Sequence, residues 1–151
     1  MTNLTNTQHI RLLTSERDKW QRLAETDHLT QMPNRLALDR RVNQRDGWYI
    51  LCDLNGFKSA QDAHPDGHAY GDDILREFAE FLETSTRFIE DRVAARTGGD
   101  EFLVWCPTRE GARAIKQRVR EWSHDGVTAS AGMGETIGAA DAAMYLSRKA
   151  Q

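Results

Sequence analysis

The pentapeptide Gly98-Gly99-Asp100-Glu101-Phe102 sets two glycines directly before two carboxylates, between the apolar runs Val93-Ala94-Ala95 and Phe102-Leu103-Val104-Trp105. Glycine pairs turn tightly between strands and leave room for phosphates, and the adjacent acids can hold a divalent cation. Another acid, Asp53, closes the apolar and aromatic run Trp48-Tyr49-Ile50-Leu51-Cys52. That run reads as a buried strand, and a carboxylate at the carboxyl end of a strand stands where open α/β sheets put their ligands. Behind it follow Leu54-Asn55-Gly56-Phe57-Lys58, Gln61-Asp62, Gly67-His68 and Gly71-Asp72. Each of these residues alone fits a polar loop, with Asp72 capping a helix and Lys58 in solvent. Jointly they point to a site for a metal and a nucleotide.

The elements that must position these groups follow from periodicity. Ile10, Leu13, Trp20 and Ala24 fall near heptad positions, interrupted by Arg17, in a helix of mixed charge running to about Thr26. Such a helix fits pairing with a second copy and fits equally well packing on its own domain. Pro33 opens a helix through Val42, Asp72 to about Glu83 forms another with Ile74, Leu75, Phe78 and Phe81 inward, and Ala112 to Trp122 a further one. Val127 to Ala131 reads as a strand and Ala139 to Lys149 as a closing helix, while Arg87 to Arg92 is a polar connection and Ser123 to Gly126 a turn. The order predicts an α+β fold with a mostly antiparallel sheet flanked by helices.

A chain of 151 residues with 39% hydrophobic content and four tryptophans supports one real core. With 20 basic and 23 acidic residues the formal net charge is −3, so no overall basic field argues for nucleic acid or an anionic membrane, although a local phosphate pocket is compatible with it. Cys52 and Cys106 lie in predicted strands without a spaced ligand set, which favours reduced thiols in the core. No run approaches transmembrane length and Met1 to Gln8 lacks the apolar centre of a signal peptide, so a soluble, cytoplasmic protein is expected.

Several motifs stand in register: Asp27-x-Leu29-Thr30 with Asn34-Arg35, Asp53-Leu54-Asn55-x-Phe57-Lys58, Gly67-His68, Gly71-Asp72, Arg96-Thr97-Gly98-Gly99-Asp100-Glu101-Phe102, Ser130-x-Gly132, and Ala140-Asp141-x-Ala143-Met144-Tyr145. Together they resemble the GGDEF family, the diguanylate cyclases that join two GTP molecules into cyclic di-GMP. The resemblance runs from about Asp27 to the C-terminus. It implies the palm-like fold of nucleotidyl cyclases and polymerases, with residues 1–26 as an N-terminal dimerisation or signalling helix and 27–151 as the catalytic domain.

The same resemblance implies a set of roles. Asp53, the Leu54 carbonyl and Asp100, with Glu101 as an auxiliary acid, are the implied ligands for two Mg2+ or Mn2+ ions per active site, which together would activate the attacking hydroxyl and neutralise charge on the departing pyrophosphate. Asp100 is also the implied base toward the 3′-hydroxyl. Phe57, Lys58, Gly98 and Gly99 would meet the phosphates, Lys58 stabilising developing charge. Gln61 and Asp72 would read guanine, with His68 either holding the nucleotide or serving structure. Arg148 stands where the family has a phosphate-binding Lys, and Tyr145 is expected in the core. GTP is the implied substrate and a homodimer the implied working form.

Departures bound this reading. The family usually has Asn where Gln61 stands and Gly where Gln31 stands; the Gly134 to Asp141 connection is short, and Asp62 to Gly67 is longer than the common pattern. The inhibitory product site needs Arg-x-x-Asp before the glycine pair, whereas Arg87 is followed here by Phe88-Ile89-Glu90 and Asp91 lies one residue further. No standard product inhibition is therefore expected. Two alternatives to a cyclase stay open at this point: a catalytically weak GTP- or cyclic di-GMP-binding signalling module, and a related palm-type cyclase making another nucleotide product.

Overall fold

The structure, a computed structural model, describes residues 5–149. The elements in chain order are α1 (Asn6–Glu25), α2 (Arg35–Val42), β1 (Trp48–Asn55), α3 (Phe57–Ala63), α4 (Gly67–Thr86), β2 (Val93–Arg96), β3 (Glu101–Cys106), α5 (Arg109–Glu121), β4 (Ser123–His124), β5 (Val127–Gly134) and α6 (Ile137–Lys149). Of the two expected segments, residues 1–4 of the first and 150–151 of the second lie outside the described residues.

The strands form one antiparallel sheet in the order β2-β3-β1-β5-β4. Its strands are apolar on both faces because helices cover both, the pattern expected of a doubly covered sheet. On one side Ile50, Cys52, Leu54, Phe102 and Val104 pack against Ile74, Leu75, Phe78 and Leu82 of α4 and Ala112, Ile115 and Val119 of α5. On the other, Leu51, Leu103 and Trp105 meet Leu38 and Val42 of α2 and Ala140 and Met144 of α6. The α+β architecture is thus the expected one.

Close approach of α6 to the sheet depends on Gly132 of β5. A Cβ there would lie 2.1 Å from the Ala140 carbonyl oxygen and 2.3 Å from the Met144 amide, both backbone atoms that cannot yield. This contact lays the helix along the sheet and carries its C-terminal end toward Asp53.

Several elements differ from expectation. Pro33 precedes α2, whose N-cap is Asn34, its side chain accepting from the Ala37 amide at 3.1 Å. The stretch expected as a polar loop after Gly56 contains α3, entered through Gly56 at φ +75°. Helix α4 starts five residues before Asp72, so Asp72 lies inside the helix and does not cap it. Ser123 to Gly126 is a short hairpin pairing β4 with β5. Tyr145 is 56% exposed, not in the core, because Met144 beside it takes the sheet-facing position.

Helix α1 opens with a capping box in which Thr5 and Gln8 exchange hydrogen bonds. Along its length only Glu25 is buried, held by an ion pair with Arg40. Ile10, Leu13 and Trp20 are 63–66% exposed, so the apolar stripe does not pack on its own domain.

Candidate active site

Strands β1 and β3 bring the two acidic segments together. Asp53 stands directly opposite Glu101 in the β1/β3 register and opposite Ser130 in the β1/β5 register. Asp53 Oδ1 is buried with no hydrogen-bond partner, while Oδ2 pairs with the Arg148 guanidinium. A buried carboxylate oxygen left unpartnered is costly, and its usual complement is a cation.

Asp100, in the turn before β3, faces the same carboxylate. Burial, then the charge of Asp53, then that of Glu101, push its pKa above the ordinary 3.8. Two carboxylates competing for one place repel, and a divalent ion between them would remove that repulsion. The donor set of carboxylates and a strand carbonyl is the oxygen chemistry that Mg2+ or Mn2+ prefers. Among the described residues no group of three or more His, Cys, Asp or Glu side chains is arranged to hold a metal ion by itself, so the remaining positions would fall to backbone, water and phosphate oxygens.

The Gly98-Gly99 turn differs from the expected mechanism in one respect: neither glycine has a left-handed φ. What the glycines leave there is space, since a Cβ on Gly99 would meet nothing within 4 Å and one on Gly98 would lie 3.2 Å from Glu101 Oε2. The turn is held from behind by Arg96, which donates to the Gly99 carbonyl at 2.7 and 3.1 Å and to both Asp27 oxygens at 3.0 and 3.1 Å. Burial disfavours a charged Asp27, but hydrogen bonds from the Thr30 amide and hydroxyl and from Arg96 outweigh it, and its pKa is lowered from 3.8.

Asn34 extends this strap to α1. Its side-chain amide donates to the Ala24 carbonyl at 2.7 Å and its backbone amide to Glu25 at 2.9 Å, while the Arg96 amide donates to Pro33 at 3.0 Å. The Asp27-x-Leu29-Thr30 and Asn34 motifs thus connect the end of α1 to the glycine turn.

Helices α3 and α4 build the other side. Phe57 is half-buried against the core and Lys58 is exposed in the first turn of α3, whose N-terminal amides receive no side-chain cap. Gln61 Nε2 lies 3.1 Å from His68 Nδ1, which places His68 behind the amide. Gly71 leaves the space that the Gln61 side chain fills, for a Cβ there would sit 2.6 Å from Gln61 Nε2. Asp72 follows, half-buried on α4.

Arg148 reaches the acidic end of the site from α6, pairing with Asp53 and lying 3.5 Å from Asn55 Oδ1, which also accepts from the Ser130 hydroxyl at 3.0 Å. Asn55, Asp27 and Arg96 stood inside quoted motifs without an assigned role. Their polar character and spacing were visible, but the partners that define them come from other elements. The two thiols are free and buried as expected, and burial pushes both upward in pKa.

The profile of the family described as "Diguanylate cyclase, GGDEF domain" matches residues 24–130. The chain belongs to the GGDEF family. Its relatives include the bifunctional diguanylate cyclase/cyclic di-GMP phosphodiesterase MucR of Pseudomonas aeruginosa, 41% identical over 61% of this chain and 14% of MucR. Another is an uncharacterized protein from the hutH 5′ region of Streptomyces griseus, 36% identical over 60% of this chain and 41% of that protein. The GGDEF chain therefore spans less than half the length of these relatives. Among solved structures, the coiled coil and GGDEF domain of DgcB from Caulobacter crescentus, in complex with c-di-GMP, shares the fold with a TM-score of 0.78 at 24% identity, covering 95% of this chain and 91% of that one. Diguanylate cyclase SiaD of P. aeruginosa, solved with its activator SiaC, gives 0.69 at 28% identity over 94% and 66%. Among the described residues, no helix of this GGDEF chain is long and apolar enough to cross a membrane.

Proposed function

We propose that this GGDEF chain is a diguanylate cyclase, condensing two GTP into cyclic di-GMP with release of pyrophosphate. The observation that carries the reading is the Asp53 and Asp100 pair: one buried oxygen without a partner and one carboxyl raised in pKa, beside a turn open to solvent. Asp53, Asp100 and the Leu54 carbonyl would hold Mg2+ or Mn2+, two per site, with Glu101 as an auxiliary ligand. The bound ions would supply charge neutralisation on the phosphates and acidify the attacking 3′-hydroxyl.

The chain's own groups do the rest. As the 3′-oxygen attacks the α-phosphorus and the bond to the β-phosphate breaks, Asp100 accepts the hydroxyl proton, a task suited to its raised proton affinity. Lys58 and Arg148 offset the charge gathering on the departing pyrophosphate. The open amides of Phe57 and Lys58, with Gly98 and the uncrowded Gly99, receive the phosphate chain. Asp72 accepts from the N1 and N2 donors of guanine, and Gln61, oriented by His68, serves its acceptor edge.

Each subunit presents one GTP, so a homodimer aligns two sites. The exposed stripe of Ile10, Leu13 and Trp20 on α1 supports pairing through residues 1–26, with 27–151 as the catalytic domain. Incubation with GTP, ATP and Mg2+ followed by chromatography tests the reading against its rivals. Cyclic di-GMP from GTP alone is expected; a mixed or linear product would mark another palm-type cyclase, and binding without turnover a signalling module.

A further inference from the structure

Helix α5 carries a charge that the catalytic reading does not use. Arg109, Arg113, Lys116, Arg118 and Arg120 outnumber Glu110 and Glu121 on it, in a chain whose formal net charge is −3. Ala112, Ile115 and Val119 bury one stripe of the helix against the sheet. Beside that stripe Arg109, Arg113, Lys116 and Arg120 follow one another at intervals of three and four, so their side chains share one flank. With Trp48 from the start of β1 and Met133 from β5 they line a cleft of about 790 Å3.

Among the described residues none of these four cations has a carboxylate within ion-pair distance, whereas Arg35, Arg40, Arg45, Arg76, Arg92, Arg96 and Arg148 each do. Glu121 is the single acid on the cleft, and it already accepts from Gln117 at 3.0 Å. The Arg109 guanidinium lies over the Trp48 ring, 5.2 Å from its centroid, which sets a cation beside an aromatic face. Like charges gathered without counter-charges repel, and a bound anion would offset that repulsion. Trp48 begins the strand that Asp53 approaches ending, about 17 Å further along at the rise of an extended chain, so this cleft is separate from the catalytic carboxylates.

We propose that the cleft binds a nucleotide carrying two or more phosphates. Three of its four cations are arginines, whose planar forks pair with phosphate oxygens through two hydrogen bonds at once. The volume suits a compact ligand, and the Arg109–Trp48 pair offers a stacking surface for a base. An extended acidic protein segment would use the charges but has no need of the aromatic ring beside them.

The test uses the full chain in metal-free buffer with chelator, where the facing carboxylates of the catalytic site repel phosphate. GTP, GDP, inorganic triphosphate, guanosine and a hexaglutamate peptide are titrated by calorimetry. GTP and GDP bind, triphosphate binds more weakly, and guanosine and hexaglutamate do not. Arg113→Gln with Lys116→Gln weakens GTP binding by about tenfold or more, the loss expected when charged hydrogen bonds are removed. Trp48→Ala weakens GTP but not triphosphate, and Arg76→Gln, on α4 outside both sites, leaves both unchanged. If a Gln variant melts below the parent, Arg120→Gln replaces it in the same comparison. Absence of GTP binding, binding lost in Lys58→Ala but kept in the α5 variants, or hexaglutamate displacing GTP would each overturn the proposal, the last by reassigning the surface to a protein partner.

Discussion

Arg148, near the end of α6, forms an ion pair with Asp53 near the end of β1, although 95 residues separate them in sequence. One carboxylate oxygen is thereby matched with a cation while the other stays buried and unpartnered. A divalent ion arriving at Asp53 would compete with the guanidinium, and an arriving triphosphate would offer the guanidinium another partner. Arg148→Gln is therefore expected to move two affinities in opposite directions. Mn2+ alone should bind about tenfold more tightly and GTP about tenfold more weakly, the size of effect a single charged hydrogen bond carries. Electron paramagnetic resonance of Mn2+ and calorimetry with GTP read the two; a change of the same sign in both would contradict the exchange.

Asp100→Asn is expected to separate activity from stability. The native carboxyl has a pKa raised above 3.8, so the folded state keeps a proton over a range where the unfolded chain has released it. That group costs stability as pH rises through the window between the two values, and the cost persists at neutral pH. The amide removes the repulsion and should raise Tm by roughly 1–3 °C at pH 7, with no difference below both pKa values. Turnover should fall by at least about a hundredfold. A folded variant with near-normal turnover would remove Asp100 from the mechanism.

Gly71→Ala tests the guanine side through packing. The added methyl would press on Gln61 Nε2, so the amide must leave its place beside His68. An increase of about tenfold in the KM for GTP, with kcat less affected, is expected from the lost hydrogen bonds. Adding Gln61→Asn, a shorter amide, should recover part of the loss. Unchanged KM in the single variant would show that Gln61 does not touch the base.

Asp27→Asn tests the strap behind the glycine turn. Because the Asp27 pKa is lowered from 3.8, its stabilising contribution is fully present above that value and is lost as pH falls through the folded value. Thermal melts of parent and variant should differ most near pH 6 and converge as the pH drops well below 4. A difference that stays constant across that range would place the effect outside the Arg96 ion pair.

Much of the frame of the candidate site was legible because β1 and β3 are short apolar runs with an acid at one end, Asp53 late in β1 and Glu101 opening β3, and continuous runs such as Ile50-Leu51-Cys52 read as buried strands. What escaped were elements whose signals are local and weak. Helix α3 has few apolar residues and follows Gly56 and precedes Pro65, so it reads as loop. The first turn of α4 contains Gly67 and Gly71, which lower helix propensity, yet Gly71 is there to admit Gln61. Tyr145 shares its motif with the buried Met144, but successive helical residues point about 100° apart and only one can face the sheet. The pairing of Arg148 with Asp53 and the hold of Arg96 on Gly99 and Asp27 depend on tertiary approach, which no spacing along the chain reveals.

The most direct test of the central claim is product and pyrophosphate measured together from GTP and Mg2+ across a range of protein concentrations. Two pyrophosphates should appear for each cyclic di-GMP, and specific activity should rise with protein concentration if, as proposed, two GTP-loaded subunits must meet. Leu13→Glu with Trp20→Glu, which charges the exposed stripe of α1, should depress activity most in dilute protein. Bound GTP with no pyrophosphate release, or a specific activity flat with concentration and indifferent to the α1 changes, would contradict the account.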